Sequence, residues 1–127
     1  MTILIPEVIS LETAKLAREK GFDVLVPNFY TDHTYLGKDV QYNPIGIVKR
    51  NYNAFKDKYS APTQSLLQRW LRENHNIHIM ICPKMTPSNE IVYYSFTGTK
   101  KKDWLNCYNT YEEVLELALV ESLKSIY

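Results

Sequence analysis

Glycine and cysteine are both scarce in this chain, with four glycines and two cysteines among 127 residues. So few glycines leave nothing to cradle a phosphate, and neither a Walker loop nor a G-x-S-x-G nucleophile elbow occurs. Cys82 and Cys107 make no disulfide framework. With no export signal they read as reduced thiols, which places the expected compartment in the cytoplasm. The opening MTILIPEV has no basic region and meets a proline early, so it does not read as a signal peptide. No apolar run approaches the roughly 18 residues of a membrane span, which argues against a membrane partner. An excess of one charge is missing too: the formal net charge is +1, too small for the whole-molecule field to steer the chain to nucleic acid.

The length and an apolar content of 45% suit one domain over residues 1–127, large enough to bury a core without staples. Ser60 to Ile81 is the best-punctuated stretch. Pro62 suits the first turn of a helix, and Ser60 or Thr63 can cap it. Leu66, Leu67, Trp70 and Leu71 share one helical face, while Asn74, His75 and Asn76 stop the helix. Ile77, Ile79 and Ile81 then alternate with His78, Met80 and Cys82 as a strand that Pro83 ends.

Elsewhere, Ser10 caps a helix over 11–20 that closes at Gly21 with Phe22 just beyond. Val24–Val26 reads as a short strand stopped by Pro27. The turn residues Pro87, Ser88 and Asn89 introduce a strand over 91–97 that pairs antiparallel with the first. Short strands are expected near 40–42, 46–49 and 104–108. Thr110 and Glu113 form a capping box for a final helix over 111–126. Leu115, Ala118 and Leu119 are expected to join Leu66, Leu67, Trp70 and the three isoleucines in the core. The expected fold is α+β: a small, mainly antiparallel sheet covered by three helices.

Four segments, ISLETAKLAREKGF at Ile9–Phe22, SAPTQSLLQRWLRENHNIHI at Ser60–Ile79, Trp104 and TYEEVLELALVESL at Thr110–Leu123, occur in that order. Together they resemble a family of small proteins of gut-type bacteria, their phages and prophages. The resemblance spans nearly the whole chain and implies a phage or mobile-element setting, but no activity. Relatives often carry a cysteine soon after the KGF motif. Here the chain reads DVLVPNFY, so any role for that thiol is absent.

Catalytic and metal chemistry find little footing. His75, His78, Cys82 and Cys107 are zinc-type ligands, but no C-x-x-C or H-E-x-x-H pairs them. His78 and Cys82 share a strand face yet stand too far apart for a direct thiolate–imidazole bond. Glu112, Glu113 and Glu116 are explained by capping and solvation. No catalytic residue, metal or cofactor is assigned, and the chain is not read as an enzyme.

Binding has more support. From Lys49 to Arg72 there are six basic residues and one acidic, interleaved with Tyr52, Phe55, Tyr59 and Trp70. Such a segment suits phosphate contact and base stacking. The candidate binding residues are Gln64, Gln68, Arg69, Arg72, Tyr52 and Tyr59. The helix–strands–helix order is also that of the double-stranded-RNA-binding domain. Where that domain grips phosphate with lysines, Tyr111, Glu112 and Glu113 stand here.

The ten tyrosines, many between Tyr30 and Tyr59, favour a protein interface instead. The leading expectation is therefore a small accessory protein acting through protein contacts. Nucleic-acid binding is the alternative, and a homo-oligomer is compatible with either.

Overall fold

Residues 7–31, 41–42, 49–97, 100–101 and 108–126 are described by the computed structural model. Their elements are three helices and two antiparallel sheets, an α+β architecture. The helices are α1 (Leu11–Glu19), α2 (Gln64–His75) and α3 (Tyr111–Lys124). Strands β1 (Asn28–Thr31), β2 (Gln41–Tyr42) and β3 (Lys58–Ser60) form one sheet in the order β2-β1-β3. Strands β4 (Ile79–Met85), β5 (Ile91–Thr97) and β6 (Lys100–Lys101) form the other, in the order β4-β5-β6.

Helix ends follow local chemistry. The Ser10 hydroxyl accepts from the Thr13 amide at the start of α1. At its end Gly21 adopts φ +91°, the Gly21 amide donates to Arg18 and the Phe22 amide to Ala17. This is the Schellman closure that a glycine permits. Thr63 caps α2 through the Leu66 amide, so Pro62 lies just outside the helix rather than in its first turn. Asn76 ends α2 in the left-handed region at φ 53°. The Thr110 hydroxyl accepts from the Glu113 amide and donates to the Glu113 carboxylate, so the two residues pair at the start of α3 through the hydroxyl.

The strands differ more from expectation. There are two sheets rather than one. Val24 and Leu25 belong to no strand, Val26 makes an isolated bridge with Arg50, and the strand begins after Pro27. Pro83 does not end β4 but sits inside it, opposite Tyr93. The reason is register. Tyr93 exchanges both its backbone hydrogen bonds with Tyr108, on the side away from β4. Pro83 is therefore at a non-hydrogen-bonded position of an edge strand, where its missing N–H costs the sheet nothing. The strand near 40–42 is β2, whereas 43–48 and 102–107, with Trp104 and Cys107, lie outside the described residues.

Helix α3 packs on α1, α2, β4 and β5. Leu67, Trp70, Ile79, Leu115, Ala118 and Leu119 are buried as expected, while Leu66, Ile77 and Ile81 form the rim of the same cluster. Ile9, Phe22, Val26, Tyr30 and Tyr52 complete it. Phe22 meets the Trp70 ring edge-on at 5.4 Å.

Candidate functional site

The six candidate binding residues are not brought to one surface. Gln64 is 5% exposed, and its side-chain amide donates to the Glu112 carbonyl and the Glu116 carboxylate, both at 3.0 Å. Gln68 donates to the Ile79 carbonyl at 3.0 Å, tying α2 to the outer edge of β4. Tyr52 is 4% exposed, and in the free protein Phe29 and the Lys58 side chain lie against its ring. Tyr59 is half-buried, with Lys15 and Arg18 over its ring at 5.6 and 5.1 Å. Arg69 and Arg72 are exposed. Arg69 donates to Glu73 at 2.9 Å, and that hydrogen bond, then the carboxylate charge, raise its pKa above the ordinary value.

Two tyrosines of the middle segment also turn inward. Tyr30 is buried and donates to the Ile9 carbonyl at 2.7 Å. With Tyr52 also in the core, these two leave the expected tyrosine-rich interface, and Tyr35 lies outside the described residues. Sequence periodicity missed this because the strands and turn that carry them are three or four residues long.

A cleft of about 660 Å³ opens where the N-termini of the three helices meet. Ser10, Gln64 and Thr110 come from the three starts, and Glu7, Glu112, Glu113 and Glu116 add carboxylates. Helix N-termini carry partial positive charge, so acidic side chains are favoured there. Two of these carboxylates have defined structural tasks. Glu113 accepts from the Thr110 hydroxyl, and Glu116 accepts from the Ser10 amide at 3.2 Å, the Ser10 hydroxyl, the Thr13 hydroxyl and Gln64. The cleft is thus a junction that holds three helices together.

No cluster of three or more metal-type ligands exists among the described residues. The His75 ring lies against Trp70 at 4.7 Å, the exposed His78 pairs with Asn76 at 3.0 Å, and Cys82 is half-buried in β4. Cys107 lies outside the described residues. No helix among the described residues is long and apolar enough to cross a membrane.

Among the described residues, the β4–β5 hairpin carries three of the exposed large apolar side chains, Met80, Met85 and Ile91. Ile79, Ile81, Pro83 and Met85 share one face with Thr97, Ser95, Tyr93 and Ile91. Along it exposure rises from 7% at Ile79 to 63% at Met85, with Ile91 opposite at 52%. On the other face Met80 is 54% exposed beside Tyr94 and Phe96, whose rings meet edge to face at 5.4 Å. The alternation of isoleucines predicts the buried base of this hairpin. It gives no sign that the strand runs on through Pro83.

No protein-family model, curated protein or solved structure matches the chain.

Proposed function

We propose that this chain is a small binding protein that acts by contacting another protein through the distal half of the β4–β5 hairpin. One observation carries the reading. The apolar inner face of the hairpin continues past its buried base, so that Pro83, Met85 and Ile91 stand exposed at its far end. Contiguous exposed apolar surface of this kind marks contact sites. Methionine suits such a surface because its unbranched side chain adapts to different shapes. Pro83 removes an outward N–H from edge strand β4, so the contact is made by side chains and not by strand addition. The resemblance to small proteins of bacteria, phages and prophages supports a phage or mobile-element setting.

Site-specific photo-crosslinking in the cells that carry the protein tests this. A photoreactive phenylalanine replaces Met85 or Ile91, with Arg72 as the control position. A discrete adduct at 85 or 91, absent at 72 and abolished by Ile91→Asp, is the expected result. An adduct of twice the chain's mass would make the partner a second copy. Adducts at 72 alone, or none at either hairpin position, would overturn the proposal.

A further inference from the structure

The ammonium group of Lys58 sits over a run of three neighbouring aromatic rings. Its Nζ lies 5.0 Å from the ring centroid of Phe29, 4.9 Å from Phe55 and 5.9 Å from Tyr52. The rings are neighbours: Phe29 and Tyr52 are 4.5 Å apart between centroids, and Tyr52 and Phe55 are 6.2 Å apart. Tyr52 is buried, and Phe55 is 39% exposed at the surface end of the run.

The loop that carries two of these rings is held from within. The Asn51 side chain accepts from the Asn53 amide at 3.1 Å. The Asn53 side chain donates to the Phe22 carbonyl and accepts from the Ser60 amide, both at 2.8 Å. The rings are therefore positioned by the fold before any ligand arrives. Among the described residues no ion pair joins Lys58 to a carboxylate.

We propose that Phe29, Tyr52 and Phe55 form a recognition site for an alkylated ammonium ion, which Lys58 fills in the free protein. Three ring faces attract a cation through their quadrupoles. A primary ammonium also carries three N–H donors, which the rings do not satisfy as water does. A trimethylammonium group carries none, holds its water weakly and keeps its charge, so it suits these ring faces better than the lysine does. The flexible stem of Lys58 lets the resident group swing out to solvent as the ligand enters. The site is independent of the hairpin contact proposed above.

The test is a titration of the intact protein with tetramethylammonium chloride, followed by the NMR signals of the three rings, against sodium chloride at equal ionic strength. Saturable shifts confined to Phe29, Tyr52 and Phe55 are expected. Lys58→Gln should bind about tenfold more tightly, because the internal competitor is gone. Phe55→Ala should abolish the effect. Choline and a trimethyl-lysine peptide, run in parallel, distinguish a free quaternary amine from a modified protein side chain. Ring shifts indistinguishable from those in sodium chloride, in the wild type and in a folded Lys58→Gln, would overturn the proposal. Should Lys58→Gln fail to fold, the wild-type titration decides alone.

Discussion

Glu116 joins the start of α1 to the middle of α3 and, through Gln64, to the start of α2. A carboxylate can accept all four of these hydrogen bonds, and its charge strengthens each of them. Glutamine in its place keeps one acceptor oxygen and turns an NH₂ group toward donors that then have no acceptor. Glu116→Gln should therefore cost about 2 kcal/mol of stability, read as a lower urea midpoint. A change within error would mean that water replaces these bonds without loss. None of this was legible in the sequence. Gln64 and Glu116 are 52 residues apart, and no periodicity links two polar residues at that distance. Read along its own helix, Gln64 is a candidate binding residue. Packed against α3, it is a buried brace.

Helices and strands differed in how far local sequence revealed them. Ser10, Gly21, Thr63 and the Thr110–Glu113 pair all act within a few residues of themselves, so the three helices and their caps were readable. Sheet β2-β1-β3 was not, since β1 has four residues and β3 three, too few to show an alternation. Pro83 misled for a related reason. Proline stops a strand that needs its N–H, and only the register with Tyr93 shows that this one does not. The same register yields a prediction. Pro83→Val restores an outward N–H on the edge of β4 and removes the block to pairing between copies. The variant should fold with unchanged far-UV circular dichroism yet scatter more light as concentration rises. Equal scattering from variant and wild type would show that something other than Pro83 guards this edge.

Across the whole molecule, residues from both sheets and all three helices meet in one buried cluster. Tyr30 and Ile79 come from different sheets, and Leu119 of α3 lies in the same cluster. Unfolding should therefore be cooperative. Tryptophan fluorescence and far-UV circular dichroism should trace the same urea transition, and two separated midpoints would show that one sheet unfolds without the other. The tie between Ser10 and Glu116 spans 106 residues of chain, and Lys20 donates to the Ile126 carbonyl across another 106. During synthesis on the ribosome, α1 emerges long before the carboxylate that secures its cap exists. Its first turn, held until then only by the local Ser10 cap, waits for that second tie through translation of both sheets and α2. Closure of this long loop then makes completion of the fold a late event, which waits for α3 to be made.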